Sequence, residues 1–158
     1  GDFTVRLNSK DAPFTVSNFL DYAQRGHYEN TIFHYVDAGF MVLGGGYTAD
    51  GELKHTQAPV ASEAHNGLLN TRGTIAMTSE SDYEHSAACQ FFFNLGENSM
   101  LDHVSREDAS TYGYCVFGEV TDGMDVLDAI GSVKVHDTSS FQNMPVKAVV
   151  IKSIQRIP

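Results

Sequence analysis

Polar and apolar positions alternate with a period of two near the start of the chain, where Phe3, Val5 and Leu7 are separated by Thr4 and Arg6. That spacing puts every second side chain on one face and reads as a half-buried strand. The period then lengthens. In DAPFTVSNFLDYAQRGHY, Val16, Phe19, Leu20 and Ala23 recur at i, i+3, i+4 and i+7, with Asp11 as N-cap, Pro13 in the first turn and Gly26 as the stop. A second helix is predicted in TDGMDVLDAIG, where Met124, Leu127 and Ile130 share a face, Asp122 caps and Gly131 ends the run.

The remaining apolar segments are short and bounded by turn residues: TIFHYV, GFMVLG, GTIAM, CQFFFNL, YCVFGEV and KAVVIKSIQRI. Their β-branched and aromatic content favours strands. Many short strands with only two helices predict a mostly β chain, a closed or nearly closed antiparallel barrel with helices capping its ends. No repeat or linker divides residues 1–158, so one domain is expected. Three irregular segments, 47–66, 78–88 and 102–113, are longer than ordinary loops and point to function.

Composition narrows the functions. The 158 residues are 42% hydrophobic, and no apolar stretch approaches the roughly 20 residues that span a bilayer. A membrane protein is not expected. Ten Lys and Arg against twenty Asp and Glu give a net charge of −10, which opposes phosphate-rich partners, so nucleic acid is excluded. Cys89 and Cys115 show no CxxC spacing and read as buried thiols, with an inter-strand bridge as the alternative in an oxidising compartment. Because the chain opens at Gly1 without an initiator Met, a processed product is expected.

Candidate chemistry is sparse. Seven scattered histidines include no HExxH, and no metal is expected. The run Gly44-Gly45-Gly46 lacks the Lys-Ser or Lys-Thr and the βαβ context of a phosphate cradle, leaving close backbone packing at a strand bend. The pairs Glu80 with Asp82 and Glu107 with Asp108 read as acidic loop surface, and no GxSxG elbow is present. What remains is an apolar set near strand ends: Phe40, Met41, Phe91, Phe92, Phe93, Met100 and Leu101.

The segments NFLDYAQRGHYENTIFH, GFMVLGGG, EAHNGLLNTRGTIAM, QFFFNLGENSMLD and YGYCVFGEVTDGMDVLDAI together resemble the cyclophilins, peptidyl-prolyl cis-trans isomerases, over nearly the whole chain. The tail from Val135 is most similar to the periplasmic branch of the bacterial members, so a periplasmic location is expected, with the cytoplasm as the alternative. The resemblance implies a closed eight-stranded antiparallel barrel capped by two α-helices, a monomer, no cofactor, and proline-containing peptides and unfolded proteins as partners. It also implies an activity that breaks no bond. Rotation of a prolyl amide faces a barrier of about 18–20 kcal/mol, and an apolar socket for the ring plus a donor aimed at the proline nitrogen lowers it.

Carried over residue by residue, the resemblance makes Phe40, Met41, Phe92 and Leu101 the socket and Gln90 a contact to substrate backbone. Thr78, Ser79, Phe91 and Tyr114 join the substrate-binding set. Met100 stands where an aromatic residue associated with cyclosporin binding is common, so weak inhibition by that drug is expected. Two further positions depart from the family pattern. Tyr35 occupies the place of the catalytic arginine, and Leu43 that of the glutamine that holds it. A tyrosine hydroxyl offers one neutral donor where arginine offers five charged ones, so reduced or altered turnover is expected with Tyr35, Phe40, Gln90 and Phe92 as the catalytic set. A proline-peptide-binding or chaperone-like module without turnover is the alternative, and Arg106 is a minor candidate for a surrogate cation.

Overall fold

The computed structural model describes residues 1–80 and 82–157. Among the described residues nine strands form: β1 (Thr4–Leu7), β2 (Thr31–Asp37), β3 (Met41–Thr48), β4 (Thr74–Met77), β5 (Phe91–Asn94), β6 (Val116–Asp122), β7 (Val135–His136), β8 (Met144–Pro145) and β9 (Val150–Ile151). Two helices, α1 (Pro13–Gln24) and α2 (Met124–Gly131), accompany them. Seven strands make one antiparallel sheet in the order β1-β6-β4-β5-β3-β2-β9, and β7 pairs with β8 in a separate ribbon.

The sheet curls into a half-barrel. It does not close, and it is not eight-stranded, which corrects the expectation from the sequence. Closure needs ladder bonds between the two edges at a fixed stagger. The predicted final strand KAVVIKSIQRI contributes only Val150 and Ile151, which reach β2 and nothing on the far side.

Period two divides the sheet into two apolar layers. The inward layer holds Phe33, Val36, Val42, Ile75, Met77, Phe91, Phe93 and Phe117, packed on Val16, Phe19 and Tyr22 of α1 and Leu127 of α2. The outward layer is smaller: Ala76, Phe92 and Val116 are buried, with Met41, Leu43, Leu68, Leu101 and Tyr114 packed around them. One irregularity sets what else faces outward. Phe33 and Val36 both point into the core, although three residues apart on one strand, because the β2–β3 register slips between Phe33 and Tyr35. Such a bulge re-aims side chains. Here it turns Tyr35 and Asp37 to the outer face, opposite Leu43 and Met41.

The glycine run is a packing device, as its sequence context implies. At Gly45, φ is +88°, and a Cβ there would stand 2.7 Å from the Phe91 ring. Helix α1 is capped differently from the prediction. Asp11 is engaged with Asn8 instead, its amide donating at 3.1 Å and its carboxylate accepting at 2.9 Å. The free N–H groups of Phe14 and Thr15 donate to Glu63 at 3.2 and 2.8 Å, so a carboxylate 48 residues from Thr15 closes the helix end. Asp122 likewise ends β6 and provides no side-chain cap to α2, whose N-cap is Gly123. Cys89 and Cys115 are buried free thiols, and burial pushes both up to about 11.

Candidate functional site

The outer layer forms a row across five strands. Tyr35 on β2 faces Leu43 on β3, Leu43 faces Phe92 on β5, Phe92 faces Ala76 on β4, and Ala76 faces Val116 on β6. Opposed residues on one face sit about 5 Å apart at Cβ, so these side chains touch their neighbours in turn. Met41 and Asp37 form the start of a second row beside the first. Of the residues expected in a proline socket, Met41, Phe92 and Leu101 therefore come together, joined by Leu43 and Tyr114. The Tyr114 ring meets Phe92 edge-on at 5.6 Å between centroids.

Phe91 is corrected. It faces the opposite side of β5, 1% exposed, among Phe19 at 5.4 Å, Tyr28 at 5.3 Å and Phe93 at 5.7 Å. Adjacent residues of a strand point to opposite faces, so Phe91 and Phe92 cannot serve the same surface. The cup itself is also corrected. Phe92 is only 1% exposed, sealed by the half-buried side chains packed around it. Any group that reaches the Phe92 ring has to move one of them aside. An open cavity of about 480 Å³ lies next to this cluster, sharing Leu68 and Val116 with it and bounded by Leu7, Asn8 and Lys10.

The rim is held by a buried amide network that the sequence reading missed. Asn94 on β5 is fully buried, and its Nδ2 donates to Asn70 Oδ1 at 3.1 Å and Thr74 Oγ1 at 2.8 Å. Asn98 Nδ2 donates to Asn94 Oδ1 at 2.7 Å and to the Phe40 carbonyl at 2.8 Å. Asn70 Nδ2 donates to the Leu101 carbonyl at 3.1 Å and to Asp102 at 3.0 Å. These bonds tie the β2–β3 hairpin, which carries Phe40, to the 3₁₀ turn Ser99–Leu101, which carries Met100 and Leu101. Phe40 is half-buried and outside the packed cluster, while Met100 projects at 72% exposure. The available signal was Asn94 alone, a polar residue directly after the apolar run Phe91–Phe93.

The polar side of the site runs along the end of β5. Gln90 is half-buried, and its Cγ would lie 2.6 Å from a Cβ at Gly46, so the glycine makes room for the glutamine side chain. The Gln90 carbonyl accepts from the Thr78 amide at 3.1 Å and the Thr78 hydroxyl at 3.2 Å. Thr78 and the half-buried Ser79 thus stand beside Gln90 on the segment that follows β4.

Tyr35 is half-buried, and its hydroxyl donates to Asp37 Oδ2 at 3.3 Å. Burial first, then the Asp37 charge and that hydrogen bond, raise the phenol's pKa, with the Asn143 side chain acting in the opposite direction. The one proton the phenol can donate is therefore held by a carboxylate. Arg106, the minor candidate for a surrogate cation, is exposed, and its charge acts on His65, which it helps to hold below the usual histidine range after burial.

Comparison with known proteins gives a consistent result. Residues 1–156 match the family described as cyclophilin type peptidyl-prolyl cis-trans isomerase. The chain is 48% identical over 153 residues to the peptidyl-prolyl cis-trans isomerase cyp18 of Streptomyces antibioticus, covering 97% of this chain and 91% of that protein. It is 46% identical over 154 residues to peptidyl-prolyl cis-trans isomerase B of Escherichia coli, covering 98% and 93%. Among solved structures, a Cryptosporidium parvum cyclophilin type isomerase crystallised in the presence of the dipeptide Ala-Pro superimposes with a TM-score of 0.77 at 25% identity, covering 97% of this chain and 90% of that one.

Proposed function

The chain belongs to the cyclophilin-type peptidyl-prolyl cis-trans isomerase family and is itself such an isomerase, and we propose that it turns Xaa-Pro bonds over the Phe92 row with a neutral donor, and hence slowly. The single observation that supports this reading is the row from Tyr35 through Leu43 to Phe92, an apolar floor with one hydroxyl at its end. A proline-containing peptide, the ligand type of the Cryptosporidium structure, would lay its ring on Phe92 after displacing Met41 or Leu43. The unbranched thioether of Met41 is suited to that movement. Gln90 and Thr78 then face the peptide backbone.

During rotation the amide loses its resonance and the proline nitrogen gains a localised lone pair. Tyr35 Oη–H donates to that lone pair by leaving Asp37, and returns to Asp37 when the bond is planar again. No covalent bond forms or breaks. Two features slow this: a neutral donor is about half as strong as a charged one, and the proton must first be released by a carboxylate. The loss of one aimed donor in other active sites is worth about 10²–10³ in rate. The similarity of the tail to the periplasmic branch supports an exported protein.

The test is a proline-limited refolding assay together with exchange spectroscopy on a proline peptide, for the natural chain, Tyr35→Phe, and Tyr35→Arg with Leu43→Gln. The expected order is double variant fastest, natural chain next and Tyr35→Phe slowest. Equal rates for the natural chain and Tyr35→Phe would remove the phenol from the mechanism. No acceleration over buffer by the natural chain would remove the turnover.

A further inference from the structure

Asp37 is unusual among the residues that face the site. The β2 bulge turns it to the outer face opposite Met41, whose side chain packs on the Phe92 cluster. Opposed Cβ atoms lie about 5 Å apart, so the carboxylate stands at the edge of the apolar floor. It is half-buried, and its side-chain partner is the uncharged phenol of Tyr35. Among the described residues it makes no ion pair with Lys or Arg. Arg72, which lines the hollow at the hairpin turn Ala38–Gly39, is committed to Asp128 at 2.8 Å and to the Leu95 carbonyl at 3.1 Å. An unpaired charge beside an apolar surface is an arrangement that a ligand cation relieves.

We infer that Asp37 makes this isomerase selective for prolines flanked by a basic residue, with the Asp37 carboxylate receiving a lysine or arginine side chain one or two residues from the ring. The inference rests on the Phe92 row being where proline binds. Asp37 stands in the row of Met41 and Asn94, two strand spacings across and two residues along from Phe92, about 12 Å in all. One extended residue advances a peptide by about 3.3 Å, and a long basic side chain covers the remainder. The charge of the whole chain, −10, attracts cationic segments and disfavours acidic ones. A half-buried charge in contact with an apolar floor is screened less than a free surface charge, so a preference of about two- to tenfold in kcat/KM is expected at low salt.

The experiment uses four peptide series with Lys, Arg, Ala or Glu placed before or after a single proline. Exchange spectroscopy measures turnover, and chemical-shift titration measures binding. Expected for the natural chain is a Lys-to-Glu ratio of about two to ten that shrinks towards one in about 0.5 M salt. Asp37→Asn lowers the ratio at low salt to the small remainder that the net charge of the chain leaves, and Asp37→Glu restores it. A merely structural role would lower the rate for all peptides together and leave the ratio untouched. A ratio near one in the natural chain at low salt overturns the inference without touching the isomerase reading. If no peptide is turned over, the isomerase reading fails separately, and the affinity ratio of Lys to Glu peptides still decides the role of Asp37.

Discussion

Replacing His34 by phenylalanine removes a built-in sensitivity to acid. His34 shares the β2 bulge with Tyr35, is 7% exposed, and lies against Tyr47 at 4.8 Å and Phe141 at 5.6 Å between ring centroids. Its Nδ1 is buried with no hydrogen-bond partner among the described residues. Burial lowers its pKa to about 4, from 6.5 in a solvated chain. The unfolded state therefore takes up a proton first as pH falls. Stability from the neutral ring is fully present above pH 6.5 and is lost between pH 6.5 and 4. The full loss is about 3 kcal/mol, at about 1.4 kcal/mol per pKa unit, and about 2 kcal/mol of it has gone by pH 5. Phenylalanine keeps an aromatic ring between Tyr47 and Phe141 and has nothing to protonate. Urea unfolding at pH 7, 6 and 5 should show the natural chain losing about 2 kcal/mol more than His34→Phe across that range. Parallel curves, or a His34 ring proton that titrates near 6.5 in the folded protein, would refute the reasoning.

Three further outcomes follow from the geometry. Glu63→Ala leaves the Phe14 and Thr15 amides and the Thr15 hydroxyl without their acceptor and should lower stability by about 1–2 kcal/mol in urea, with Glu63→Gln recovering part of it. Gly46→Ala places a methyl 2.6 Å from Gln90 Cγ; because that side chain is flexible, the melting temperature should change little while the isomerisation rate falls. Asn98→Ala leaves the Asn94 Oδ1 and the Phe40 carbonyl short of a donor. It should cost about 1–3 kcal/mol and also raise KM, since the 3₁₀ turn bearing Leu101 loses its tie to the hairpin.

The elements that were legible from pattern were those built on local periodicity. Helix α1 follows its 3.6-residue stripe, the strands follow their β-branched and aromatic runs, and Gly44 to Gly46 pack closely as their lack of any phosphate context implied. Period two states that Phe91 and Phe92 face opposite ways but not which one faces the core; that depends on where α1 docks. The cap from Glu63 was invisible because its donors lie 48 and 49 residues away in sequence. The bulge at His34 was hidden for a related reason. An extra residue changes the parity of everything after it, and the segment IFHYV satisfies either parity with apolar and aromatic side chains. Sheet closure failed as an expectation because the number of apolar runs says nothing about how many of their residues find ladder partners.

The two layers of the sheet explain how residues of the outer face can vary while the fold is kept. Tyr35, Asp37 and Leu43 lie on the outer face beside a small cluster of three buried residues. The main core uses the alternate positions of the same strands, Phe33, Val36, Val42, Phe91 and Phe93, and shares no side chain with that cluster. Substitutions on the outer face therefore leave the inner packing intact, and their stability effects should add to those of inner-face substitutions when the residues do not touch. The asparagine network breaks this separation: Asn94 is fully buried yet bonded through Asn98 to the Phe40 carbonyl at the rim. A change there disturbs the core and the rim together, whereas a change at Tyr35 has little effect on stability. Catalytic tuning should thus be tolerated at Tyr35, Asp37 and Leu43, and resisted at Asn94, for reasons of packing alone.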